Sequence, residues 1–109
     1  MIDARLAPIV SERFKALGDP ARLMLVSRLF EGERSVGELA RETGRRQPTV
    51  SQQLGRLARA GLVASRREGN RVLYRVVDPY LERICSAVCR SLERGVRVPR
   101  AGRRGRARG

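Results

Sequence analysis

The sequence predicts a mostly α-helical domain with one β-hairpin, in the order ααααββα: a winged helix-turn-helix with an extra helix at each end. Three observations lead there. Apolar residues recur at helical spacing as far as Gly61. Two stretches after Gly61 then alternate, around Glu68-Gly69-Asn70-Arg71. A last amphipathic stretch follows Asp78-Pro79.

Each element has its own local reason. Residues 3–17 place Leu6, Ile9, Val10, Phe14 and Leu17 on one helical stripe, which stops before Gly18. Asp19-Pro20 is a cap followed by proline at the first helical position. The helix it opens carries Leu23, Met24, Leu25, Val26, Leu29 and Phe30, apolar almost all round, and should be central. Ser35-Val36-Gly37-Glu38 is a capping box opening a short helix that buries Val36, Leu39 and Ala40 and ends at Gly44. Pro48 starts the next helix, 48–60, with Val50, Leu54 and Leu57 inward and Gly61 as its stop. Two short helices joined by such a turn read as a helix-turn-helix. Residues 62–67 and 72–77 form the hairpin, the wing. Asp78 caps the last helix, which runs to about residue 93.

Charge narrows the function. The 109 residues hold 24 basic and 11 acidic side chains, a net charge of +13, and every basic residue except Lys15 is arginine. That balance points to a polyanion, usually nucleic acid. Residues 94–109 carry seven arginines and no acid, and read as a disordered Arg/Gly-rich tail behind a folded domain of residues 1–93. The absence of histidine removes the commonest general base and every His-based metal site. No Gly-rich phosphate loop follows a strand, so an enzyme is not expected. No apolar run approaches the roughly 20 residues that span a bilayer, and no signal peptide is evident, so a cytoplasmic protein with no membrane partner is expected.

The 48–60 helix carries the sharpest signal. Thr49, Gln52, Gln53 and Arg56 recur at i, i+3, i+4, i+7 on the side away from the apolar stripe, and no acid occurs from Gln47 to Ala60. Glutamine can bond adenine, arginine guanine, and a threonine methyl can contact thymine. Ser51, near the helix start, suits a phosphate, with Arg45, Arg46 and Gln47 at the same end. The hairpin tip supplies Arg66, Arg67 and Arg71 for the duplex backbone. Base reading by this helix, with the wing on phosphates, is the expected function.

The segments FKALGDPARLMLVSRL (14–29), SVGELARETG (35–44), QPTVSQQLGRLARAGLV (47–63) and REGNRVLYRV (67–76) together resemble the ArsR/SmtB family of bacterial winged-helix repressors. The resemblance covers about residues 10–92. It implies a homodimer in which the first and last helices pack across the two-fold. It also implies an imperfectly palindromic double-stranded DNA operator, with recognition helices roughly 34–36 Å apart. The apolar stripes of both terminal helices agree, since each needs a cover that so small a chain does not obviously supply.

The family's usual metal or thiol switches are where the match breaks. Val36-Gly37-Glu38-Leu39 stands where some members have cysteines, and Tyr80, Ser91 and Arg94 stand where others have ligands beside the counterpart of Asp78. The last helix does place Asp78, Glu82, Cys85 and Cys89 on one stripe. Two thiolates one turn apart suit a soft or borderline ion (zinc, nickel, cobalt, copper(I) or arsenite), or oxidation chemistry. The same cysteines serve equally as small packing residues, and Asp78 as a cap. Sensing through a separate partner protein stays open. The alternative function is a sequence-blind architectural or RNA-binding protein driven by the basic tail.

Overall fold

The computed structural model describes residues 1–95; most of the expected basic tail lies outside the described residues. Two compact units divide the chain, Met1–Pro79 and the segment from Tyr80 onward.

In the first unit, helix α1 spans Ala7–Leu17. It starts four residues later than the periodicity predicts. Asp3 Oδ1 accepts the backbone N–H groups of Arg5 at 2.9 Å and Leu6 at 3.1 Å, and this local bonding holds the chain in a turn. Asp19 has extended backbone and caps α2 (Pro20–Leu29), its carboxylate accepting the Arg22 N–H at 3.0 Å. α2 takes the expected central place through Ala21, Leu25, Val26 and Leu29, all buried, while Leu23 and Met24 are 41% and 50% exposed. At about 100° per residue the four buried side chains share one side of the helix, Leu23 and Met24 fall on the other, and nothing among the described residues covers those two.

Strand β1, Arg34–Ser35, is an element that the sequence did not announce. It pairs antiparallel with β3 (Arg71–Val76), Arg34 opposite Tyr74 and Ser35 opposite Leu73. Two residues carry no alternation that a pattern could reveal. Ser35 then caps α3 (Val36–Thr43): its Oγ accepts the Glu38 N–H at 3.1 Å while Glu38 Oε1 accepts the Ser35 N–H at 2.8 Å. Gly44, at φ +70°, ends the helix in the left-handed conformation that favours glycine.

Helix α4 spans Gln47–Arg59, with Pro48 in its first turn. Val50, Leu54 and Leu57 are all 0% exposed, packed with fully buried Leu25, Val26 and Leu39. Each buried leucine contributes about 1.5–3 kcal/mol of hydrophobic stabilisation. Strand β2 (Val63–Glu68) pairs antiparallel with β3, from Val63 opposite Val76 to Glu68 opposite Arg71. The sheet order is β1-β3-β2, so the wing is a three-stranded sheet rather than a lone hairpin. Leu62, Val63 and Leu73 anchor its base in the core, and the tip turns at Gly69 and Asn70 in full exposure.

The second unit holds α5, Leu81–Glu93. It begins three residues after Asp78, with Tyr80 in the cap position and no side-chain cap bond. Asp78 therefore does not take the cap position assigned to it; its Oδ2 accepts from Arg13 Nη1 at 3.2 Å. Along α5, Leu81 is buried, while Ile84, Val88 and Leu92 form an exposed stripe. Among the described residues no helix is long and apolar enough to cross a membrane.

Candidate DNA-binding face

With the leucine and valine stripe of α4 sealed inside, its opposite side is fixed by geometry. At 100° per residue, Pro48, Gln52, Gly55 and Arg59 lie across the axis from Val50, Leu54 and Leu57. Pro48, Gln52 and Arg59 are exposed, as are Gln47, Ser51 and Ala58 on the flank of that ridge. The Arg59 guanidinium lies along the ridge over Gly55, where a Cβ would meet Nη1 at an ordinary contact distance of 3.6 Å. No acid occurs on this helix.

The structure divides the expected face, Thr49, Gln52, Gln53 and Arg56, between two surroundings. Gln52 stands on the outward ridge. Thr49, Gln53 and Arg56 lie on a half-buried flank that α1 and α2 engage. Arg22 Nη1 donates to Gln53 Oε1 at 2.9 Å. Arg56 Nη2 donates to Glu12 Oε1 of α1 at 3.2 Å. Arg59, outside the expected set, is exposed and sits closer to the antipode of the buried stripe than residue 53 does.

Arg22 also bonds the carbonyls of Ala16 and Lys15 at the end of α1, the latter at 3.2 Å. One guanidinium thus satisfies open carbonyls of one helix and holds a side chain of the reading helix.

The turn before α4 presents Arg45 and Arg46, both exposed and without a side-chain partner among the described residues; Arg46 occupies the cap position. On the wing, Arg67 is exposed and likewise unpartnered among the described residues. Arg66 is not a free cation. Its Nε and Nη2 grip the two Glu33 carboxylate oxygens at 2.8 Å each, and Glu68 lies 3.5 Å away. This fork holds the Glu33 carboxyl below its ordinary range and the Arg66 guanidinium above its own. The pair ties the wing to the loop before β1. Arg71 Nη2 lies 3.4 Å from Glu38 Oε1, and the bond from the Ser35 N–H, aided by Arg71, keeps that carboxyl below its usual value. Glu38 and Glu42 are both partnered; Glu42 Oε2 accepts from Arg34 Nε at 3.1 Å.

The candidate sensing residues do not form a ligand shell. Among the described residues no group of three or more His, Cys, Asp or Glu side chains could hold a metal ion. Asp78 is committed to Arg13. Cys85 is half-buried, Cys89 exposed, and both are free thiols. Burial, with Cys89 nearby, pushes the Cys85 thiol above its ordinary value and keeps it protonated. Glu82 is exposed on the first turn of α5.

Comparison with known proteins places this geometry. Residues 19–65 match the model of the bacterial regulatory protein, arsR family. A biofilm growth-associated repressor of Agrobacterium fabrum is 49% identical over 74 residues, 68% of this chain; the chain spans 63% of that protein's length. An uncharacterized HTH-type transcriptional regulator of Mycobacterium tuberculosis, Rv0081, is 40% identical over 90 residues, 82% of this chain and 79% of that protein. Its crystal structure superposes with a TM-score of 0.75, covering 84% of this chain and 93% of the other. The homodimeric winged helix-turn-helix DNA-binding domain of a Mycobacterium bovis protein superposes with a TM-score of 0.77 at 36% identity, covering 83% of each chain. The chain belongs to the ArsR family of bacterial regulatory proteins, which are DNA-binding transcriptional regulators rather than enzymes.

Proposed function

We propose that two copies of this chain bind a palindromic DNA operator and repress transcription from it, each laying the outward ridge of α4 in the major groove. The observation that carries the reading is that ridge. Gln52 and Arg59 stand exposed on an acid-free helix whose opposite stripe is wholly buried. In this reading Gln52 and Arg59 meet base edges, where glutamine and arginine discriminate adenine and guanine. Arg45, Arg46, Gln47 and Ser51 at the start of α4, with Arg67 and Arg71 on the wing, meet phosphates and fix the register. Thr49, Gln53 and Arg56 act one step back, as the flank through which α1 and α2 hold the helix.

Two features support a dimer. Helix α1 exposes Leu6, Ile9 and Phe14, and α5 exposes Ile84, Val88 and Leu92. Apolar stripes of this kind are costly to leave in water, and a second copy covers each. The homodimeric Mycobacterium bovis domain has the same fold. No metal step enters the proposal, because the thiols of Cys85 and Cys89 are two donors where a closed site needs three or four.

The test is selection of duplexes from a random pool by the full chain, then equilibrium binding near physiological salt. The expected result is an inverted repeat with half-sites about one helical turn apart. It should be bound by two chains at least about a thousandfold more tightly than random duplex. Equal affinity for both duplexes overturns the reading.

A further inference from the structure

Beside the reading ridge, a cleft of about 560 Å³ opens between the start of α3, the start of α4 and the wing tip. Its walls include Gly37, Glu38, Arg41, Gln47, Asn70 and Arg71. The side chains of Arg41, Gln47 and Asn70 have no hydrogen-bond or ion-pair partner among the described residues, although all three are exposed donors around one space. Two of them converge beside Gly37. A Cβ there would lie 3.6 Å from Gln47 Nε2 and 3.8 Å from Arg41 Nη1. The donors are side chains and not simply a helix end, since Ser35 and Glu38 already close the cap of α3. The single acid in the wall, Glu38, is engaged by the Ser35 N–H at 2.8 Å and by Arg71 at 3.4 Å.

We propose that this cleft is a phosphate-binding site, with Arg41 and Arg71 as its charges, Gln47 and Asn70 as its neutral donors and Glu38 as a built-in competitor for Arg71. The proposal deepens the operator reading and rests on it for the source of the phosphate, a phosphodiester of the DNA backbone. Three independent segments of chain would then grip one phosphate, setting the angle at which the neighbouring α4 enters the groove. While no phosphate is bound, Arg71 rests on Glu38. Binding transfers it to the phosphate, a charge-assisted partner of equal charge that Arg41, Gln47 and Asn70 hold in the same cleft. A carboxylate that restrains an arginine is also a penalty on anion binding, so its neutral isostere should improve the site.

The experiment uses the full chain and its selected duplex, with affinity measured across a salt series for wild type, Arg41→Gln and Glu38→Gln. Arg41 is exposed and unpartnered among the described residues, and glutamine is a good helix former, so the first variant should keep its fold, checked by circular dichroism. Glutamine also serves in a capping box, so the second should too. Arg41→Gln should lower the slope of log affinity against log salt by about 0.9 per chain. Glu38→Gln should tighten binding roughly three- to tenfold. A purely structural role for Glu38 gives no such gain. In a parallel arm, inorganic pyrophosphate is titrated into the DNA-free protein while the side-chain amide signals of Gln47 and Asn70 are followed by NMR. Saturable shifts that vanish in Arg41→Gln, with an unchanged DNA slope, assign the site to a free phosphate-bearing ligand and still support it. An unchanged slope, no gain from Glu38→Gln and no saturable shift overturn it. If wild type selects no duplex at all, the operator reading fails by itself, and the pyrophosphate arm alone decides the cleft.

Discussion

Arg22 of α2 holds Gln53 of α4 by its oxygen: Nη1 of the one donates to Oε1 of the other at 2.9 Å. Because a guanidinium can only donate, the partner atom must be the amide oxygen, and the orientation of the Gln53 amide is settled by chemistry. The same guanidinium closes the carbonyl end of α1. Gln53 is thereby held against α2, while Gln52, one residue earlier, is exposed and without a side-chain partner among the described residues.

Removing that guanidinium should cost stability before it costs specificity. Arg22→Met leaves the Lys15 and Ala16 carbonyls and the Gln53 amide without their donor, an expected loss of about 1–3 kcal/mol for the half-buried group. Urea denaturation should show the loss, and the duplex selected by the folded variant should stay the same. A full-stability variant with an altered base preference would contradict this assignment.

The two wing arginines should separate. Arg67→Ala should reduce the salt slope by about 0.9 per chain, because an unpartnered cation is lost from the duplex contact. Arg66→Ala should reduce it less, because Arg66 already spends both arms of its fork on Glu33. Its effect should fall instead on the protection of wing amides from hydrogen exchange. Equal slopes for the two variants would contradict the fork's role.

Acid should loosen the wing. The Glu33 and Glu38 carboxyls titrate below their ordinary value of 4.5 in the fold, Glu33 through Arg66 and Glu38 through the Ser35 N–H. Their contribution is therefore present above pH 4.5 and is lost as pH falls through the lowered folded values. Thermal midpoints should drop across that window, and the drop should shrink in Glu33→Gln and Glu38→Gln. A midpoint that ignores pH between 5 and 3, test values spanning the carboxylate range, would count against both bonds.

The thiols should prove chemically unequal and dispensable for binding DNA. Cys89, exposed, should be alkylated by iodoacetamide before Cys85, whose half-buried thiol is pushed up by burial. Mass spectrometry of partly labelled protein reads the order. Cys85→Ser with Cys89→Ser should retain operator affinity within about twofold, since neither side chain stands on the α4 ridge; a larger loss would place them in the binding machinery.

The legible parts were those that repeat. The stripe Val50, Leu54, Leu57 gave α4 its inner face, Ser35 and Glu38 gave the start of α3, and Glu68 to Arg71 gave the turn of the wing. What escaped was set by contacts between distant residues. Glu33 meets Arg66, Arg22 meets Gln53 and Glu12 meets Arg56, pairs that sit 31 to 44 residues apart. No period announces which arginine of many will find an acid. Strand β1 escaped because two residues owe their conformation to β3 beside them. That residue 59 lies across the helix from residue 50 is, by contrast, written in the spacing itself.

The most direct measurement is the base preference of Gln52→Ala, determined by selection at every position of the duplex and set beside that of wild type and Gln53→Ala. Gln52→Ala should lose discrimination at one position in each half-site while the remaining positions keep theirs, and Gln53→Ala should select the wild-type sequence. An unchanged preference for Gln52→Ala, or a shifted one for Gln53→Ala alone, would contradict the outward ridge of α4 as the surface that reads DNA.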